Sequence, residues 1–230
     1  MKYAEVRSGK FLERPNRFIA YVETGGTVEK CHVSNTGRCR ELLVPGADVI
    51  LSVSRNPNRS TKYDLVSVYK GGMLVNIDSQ APNKVVIDQI RDIPGFENAD
   101  LIRPEYSYGS SRIDLYAEEG SKKMLMEIKG VTLERDGLAL FPDAPTERGL
   151  KHVGELKDSL KEGYESYIMF LVQMRGPEAF SPNYDMHEDF AAAVEQACTE
   201  GMKVLAYDCV VTENSVSLGE PIDIRFRGHS

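Results

Sequence analysis

Residues 110–130, SSRIDLYAEEGSKKMLMEIKG, decide how this 230-residue chain is read. Two β-rich runs, 112–117 and 124–129, flank Gly120-Ser121, and a Gly-X pair between such runs predicts a tight hairpin. With Glu119 facing Lys122 across the turn, Asp114 stands opposite Glu127. Side chains alternate between faces, so Lys129 shares the face of Glu127, and Arg112 shares that of Asp114. The other face carries Ile113, Leu115, Ala117, Met124, Met126 and Ile128. It is apolar throughout and suited to a core, which makes the register hard to slip.

The polar face gathers two carboxylates, a lysine and an arginine. Opposed carboxylates about 5 Å apart at Cβ repel unless a cation sits between or beside them. Oxygen ligation by one or two carboxylates, completed by water and substrate phosphate, is how Mg²⁺ is usually held. A lysine two residues after the second acid is placed to neutralise transition-state charge or to assist the attacking water. The pattern Asp114-x12-Glu127-x-Lys129 therefore points to metal-dependent phosphodiester cleavage. The other reading of the same residues is a surface hairpin whose charges pair across strands for under about 1 kcal/mol.

Composition bounds the class. Hydrophobic residues make up 41% and charged residues 27%, ordinary values for a globular chain long enough for one large or two small domains. No run of 18 apolar residues occurs, and the start, MKYAEVRSGK, lacks a signal peptide's apolar region, so a cytoplasmic protein with no membrane partner is expected. Cys31, Cys39, Cys198 and Cys209 form no C-x-x-C pair, which argues against a zinc knuckle and a disulfide framework. The net charge of −7 is uneven: residues 1–82 carry 12 Lys and Arg against 8 Asp and Glu, and the remainder is strongly acidic. A nucleic-acid surface is sought in the front part.

That front part reads as all-β, with strand candidates at 2–9, 17–24, 29–33, 48–54, 64–70 and 73–78 between Gly, Pro and Asn turn signals. Such spacing suits a small closed barrel, either OB or SH3-like. Between the strands, Asn35, Arg38 and Arg40 lie in a polar loop, where they either contact phosphates or are merely solvated. Arg55, Arg59 and Lys62 crowd a second loop. A boundary falls near residue 82, with Asn83 as the N-cap of a helix ending before Pro94-Gly95. Glu105, in an extended run at 101–108, is a third acid that either joins the metal or pairs with Arg103 or Arg112.

Beyond the hairpin, Asp136-Gly137 signals a type I′ turn, and Thr146 caps a helix over 147–162. On that helix Arg148, Lys151, His152 and Glu155 fall on one side and Val153, Leu156 and Leu160 on another. The polar stripe is either the wet face or a set of side chains positioning substrate. The apolar run at 167–174 predicts a strand covered on both sides. Asp185 is the expected cap of a helix reaching Glu200, and His187 reads as structural. A strand follows at 203–211 and a short edge at 216–218. Residues 83–230 thus form a mixed α/β domain. No phosphate-binding glycine loop, H-E-x-x-H or nucleophile elbow is present.

Asn35-Thr36-Gly37-Arg38, Pro82-Asn83, Arg112-x-Asp114, Glu127-x-Lys129-Gly130 and above all Phe141-Pro142-Asp143-Ala144-Pro145-Thr146-Glu147-Arg148-Gly149 resemble the sugar fermentation stimulation protein family over nearly the full length. The resemblance implies an OB-like nucleic-acid-binding barrel (1–82) joined to a PD-(D/E)xK, restriction-endonuclease-like α/β domain (83–230). It makes Asp114, Glu127 and Lys129 the nuclease-core triad, with Lys151, His152 and Glu155 as auxiliaries. Mg²⁺ or Mn²⁺ would be held by Asp114, Glu127 and the Ile128 carbonyl. Asn35, Arg38, Arg40, Arg112, Arg148 and Lys151 are the expected nucleic-acid contacts, with DNA favoured and RNA the alternative. Ile113 replaces the proline of the family's literal "PD". The competing function is a non-catalytic DNA-binding regulator of sugar metabolism that keeps the fold for shape.

Overall fold

A computed structural model describes residues 1–35, 37, 39–56 and 58–227. Its first part is built from β1 (Val6–Asn16), β2 (Ile19–Thr24), β3 (Thr27–His32), β4 (Asp48–Val53) and β5 (Tyr63–Lys70), with β6 (Met73–Asn76) paired to β5. β1 lies antiparallel between β2 and β4, and β4 pairs with β5. The ring closes where β3 meets β5 in parallel, at Cys31–Tyr63 and His32–Asp64. This closure makes the barrel an OB fold, filled by Phe11, Val22, Cys31, Leu51, Leu65 and Val68. The first strand begins later and runs further than residues 2–9. Phe11 is buried and anchors β1 in the core, while Pro15 is tolerated because pairing with β2 is already irregular beyond Glu13.

The second part comprises α1 (Ala81–Asp88), β7 (Leu101–Tyr108), β8 (Ser111–Glu119), β9 (Lys122–Val131), β10 (Leu133–Arg135), β11 (Leu138–Phe141), α2 (Glu147–Lys161), β12 (Glu165–Val172), β13 (Ala179–Pro182), α3 (Glu188–Thr199), β14 (Lys203–Thr212), β15 (Ser215–Pro221) and β16 (Asp223–Ile224). Its main sheet has the order β15-β14-β12-β9-β8-β7, with β12 parallel to both β9 and β14. A smaller sheet runs β10-β11-β13-β16. Along β12, Tyr167, Met169 and Leu171 pack with Val85 and Val86 of α1, whereas Ile168, Phe170 and Val172 pack with Val153 of α2 and Phe190 of α3. Helices on both faces explain the uninterrupted apolar run.

Two helix starts differ from the sequence reading. α1 begins at Ala81 with Gln80 at its N-cap and a proline in its first turn, so Asn83 lies inside the helix. α3 is preceded by His187 rather than Asp185, whose carboxylate instead meets Arg227 at 2.7 Å. His187 Nδ1 accepts the backbone N–H of Thr146 at 3.2 Å and ties the two helix starts together. Thr146 does cap α2, its hydroxyl accepting the Gly149 N–H at 3.0 Å. Thr146→Ala is expected to lower unfolding stability by about 1 kcal/mol, read by urea titration, and an unchanged midpoint would remove the cap's significance.

The barrel is fastened to the main sheet by amides. Gln173 Nε2, at the end of β12, donates to Asn76 Oδ1 at 2.9 Å and to the Asp78 carbonyl at 3.0 Å. All three groups are sheltered from water, where satisfied hydrogen bonds hold best. Among the described residues no helix is long and apolar enough to cross a membrane.

Candidate active site

The hairpin forms in the expected register, from Glu119–Lys122 through Leu115–Met126. Beyond Leu115 the ladder gives out, and the Asp114 side chain spans the opening: its Oδ2 accepts the Ile128 N–H at 2.8 Å. Asp114 and Glu127 are therefore not a laddered pair. Strand alternation also breaks here. Ile113 is buried, but with Tyr116 and Leu125 on the α2 side, whereas Leu115, Ala117, Met124, Met126 and Ile128 pack on the α1 side as predicted. The acid-bearing face is covered too, because α2 packs there and brings His152 to Glu127.

Asp114 is fixed at both oxygens. Its Oδ1 accepts from Asn83 Nδ2 at 2.8 Å, reaching across from α1. Burial pushes its carboxyl above the usual range and the Glu127 charge adds to this, outweighing the Ile128 N–H, Lys129 and Asn83. Sequence reasoning missed Asn83 by treating it as a cap. The available signal was Pro82, which favours the first helical turn and places its neighbour within it.

Glu127 is 2% exposed. Its Oε1 accepts from Lys129 Nζ at 2.5 Å and from His152 Nδ1 of α2. Burial alone would raise this carboxyl, but the His152 hydrogen bond and the Lys129 ammonium reverse the sign and leave it below the ordinary range. Arg148 Nε donates to His152 Nε2 at 3.4 Å, so the bonding pattern puts the imidazole proton on Nδ1. Glu127 Oε2 is buried without a hydrogen-bond partner.

The polar stripe on α2 divides. His152 is buried beside Val153 and Leu156, while Arg148 and Lys151 stay exposed. Glu155 joins a separate cluster, with Ser110 Oγ at 3.0 Å and Lys151 Nζ at 3.7 Å. Arg112 is exposed and meets Glu105 at 3.1 Å. In the barrel the Asn35 amide is engaged internally, donating to the Ile77 carbonyl at 3.0 Å and accepting the Gly37 N–H at 2.7 Å. Arg40 is exposed on the rim of a cleft of about 460 Å³ that Arg17 also lines. Arg38 lies outside the described residues. Arg59 is held by Asp64, with both contacts at 2.7 Å.

The donors at Asp114 and Glu127 fit a hard divalent cation. The buried Glu127 and the half-buried Asp114 lie close enough for one to raise the other, and Glu127 keeps an oxygen without a partner. Such an orphaned acceptor costs about 1–3 kcal/mol unless something binds it. Among the described residues no group of three His, Cys, Asp or Glu side chains adds to the pair.

Comparison with known proteins identifies both domains. The family model for the SfsA N-terminal OB domain matches residues 12–77, and that for the Sugar fermentation stimulation protein RE domain matches residues 80–215. The chain belongs to the sugar fermentation stimulation protein family. Its C-terminal part is accordingly a restriction-endonuclease-like domain. Family members similar over almost their whole length include the sugar fermentation stimulation protein homolog of Desulfitobacterium hafniense (strain Y51), 49% identical over 225 residues, covering 98% of each chain. The homolog of Clostridium beijerinckii is 47% identical over 224 residues, covering 97% of this chain and 99% of the relative. Among solved structures, SfsA of Pyrococcus furiosus in complex with Ca²⁺ shares the family fold with a TM-score of 0.88 at 23% identity, covering 98% of both chains.

Proposed function

We propose that this chain is a metal-dependent nuclease that binds nucleic acid, DNA in preference to RNA, and hydrolyses phosphodiester bonds at Asp114, Glu127 and Lys129. The observation that carries the reading is Glu127: a buried carboxylate with one oxygen held by Lys129 and His152 and the other unpartnered. The complex of Pyrococcus furiosus SfsA with Ca²⁺ supports a divalent ion, here Mg²⁺ or Mn²⁺. Asp114, Glu127 and the Ile128 carbonyl would hold it. When bound, the ion supplies a water of lowered pKa and a positive charge beside the scissile phosphate.

The chain's own groups do the rest. Asn83 and the Ile128 N–H keep the Asp114 carboxylate from rotating, and His152 does the same for Glu127. Lys129 places an ammonium where charge builds on the phosphate oxygens. Arg148 and Lys151, exposed on the first turns of α2, contact the sugar-phosphate chain, as do Arg40 on the barrel and Arg112 on β8. Glu155 orders Lys151 rather than touching the phosphate.

Incubating the chain with single- and double-stranded DNA and RNA in Mg²⁺, in Mn²⁺ and in EDTA tests the reading. Cutting is expected with either ion and is expected to stop in EDTA. Binding without cutting in every metal would leave the regulator reading in its place.

A further inference from the structure

A cleft of about 520 Å³ opens where the barrel meets α1, lined among others by Lys2, His32, Arg55 and Lys84. Its two acids are fully engaged. Asp64 accepts from both terminal nitrogens of Arg59 at 2.7 Å and from His32 Nδ1 at 2.9 Å. Asp78 accepts from Ser34 Oγ at 2.8 Å, the Gln80 N–H at 3.0 Å and the Tyr3 hydroxyl at 3.2 Å. Its bases are not. Lys2, Arg55 and Lys84 are exposed and have no acid partner among the described residues, Lys84 reaching only the neutral Gln80 amide at 3.4 Å. Neutralised acids and unpaired cations in a concave wall give a positive field that focuses anions. The volume suits a nucleotide-sized group.

The cleft is also joined to the reacting centre through one element. Lys84 follows Asn83 in α1, and Asn83 holds Asp114. We propose that this cleft is an anchoring site for a backbone phosphate of the bound strand, gripped by Arg55 and Lys84, on a path from the barrel to Asp114. The proposal takes its ligand from the nucleic-acid reading above. It adds a site that the paired acids do not require.

The test measures binding of a fluorescein-labelled single-stranded DNA oligonucleotide to the full chain by anisotropy, in EDTA and over a range of salt. Arg55→Gln with Lys84→Gln is expected to weaken binding about tenfold near physiological salt and to reduce the log–log salt slope by about 0.7, the value for one lost phosphate contact on a single strand. Lys157→Gln with Lys161→Gln removes the same charge from the far end of α2 and is expected to change neither quantity comparably. Equal effects in the two double variants, unchanged binding in the first, or no binding by wild type would each overturn the anchor. Competition by inorganic phosphate or by AMP distinguishes a free phosphate ligand. If either binds in the cleft while the strand's affinity is indifferent to Arg55 and Lys84, the strand proposal is wrong. Because nothing is cut in EDTA, a chain that binds through the cleft yet never cuts in Mg²⁺ sinks only the nuclease reading. Cutting with unaltered binding in the double variant sinks only the cleft.

Discussion

Asp114→Asn is expected to remove metal-dependent cutting by about 10³-fold or more while leaving the apo chain at least as stable as wild type at neutral pH. The loss follows from deleting one anionic ligand of the ion and its share of transition-state charge stabilisation, several kcal/mol, where about 1.4 kcal/mol is a factor of ten. The stability result follows from sign. Burial and the Glu127 charge raise the Asp114 pKa in the folded chain. Folding therefore favours the protonated acid, and that advantage, complete below the ordinary Asp value of about 3.9, disappears as pH rises through the folded value. At neutral pH the charge is a burden that asparagine lifts, while its amide oxygen still accepts the Ile128 N–H and its NH2 donates to Asn83 once that side-chain amide turns its oxygen inward. Thermal melts in EDTA across pH should show the variant's margin at neutrality closing in acid. A variant that cuts like wild type would remove Asp114 from the chemistry. One that melts well below wild type at neutral pH would make Asp114 a stabilising group instead.

His152→Ala should be the most damaging substitution to the fold near the site, lowering unfolding stability by about 3 to 5 kcal/mol at neutral pH. It leaves Glu127 buried with Lys129 alone as its partner: a hydrogen bond from the imidazole to a buried carboxylate is lost, about 1.5–3 kcal/mol, and the cavity left by the ring adds to that. Glu127 lies below the ordinary carboxylate range in the folded chain, so its contribution is present above about pH 4.3 and is lost as pH falls through the folded value. The gap between wild type and His152→Ala is thus widest near neutrality and narrows in acid. A double-mutant cycle with Glu127→Gln isolates the pair from the cavity left by the imidazole. Additive effects would mean that His152 merely fills space.

Much of the molecule was legible along the chain. Gly120-Ser121 and the alternation on either side specified the hairpin register from Glu119–Lys122 as far as Leu115–Met126, and Thr146 announced the start of α2. The barrel's strands were visible as short alternating runs, but OB and SH3-like closures share that pattern. The choice rested on the parallel meeting of β3 with β5, whose residues are far apart in the chain. The face given to the acids is covered by a helix arriving from elsewhere, which period-2 alternation cannot register.

The amino-acid order alone determined the hairpin that presents the proposed acids and the helix cap nearby, because turns, caps and alternation depend on residues a few positions apart. Tertiary structure decided how the acids are held. Asn83 reaches Asp114 from 31 positions away and His152 reaches Glu127 from 25, distances closed only when α1 and α2 pack on opposite faces of one sheet. The same packing sets the two carboxyls on opposite sides of their ordinary pKa values, since burial and neighbouring charge belong to the assembled core and not to the chain's local pattern.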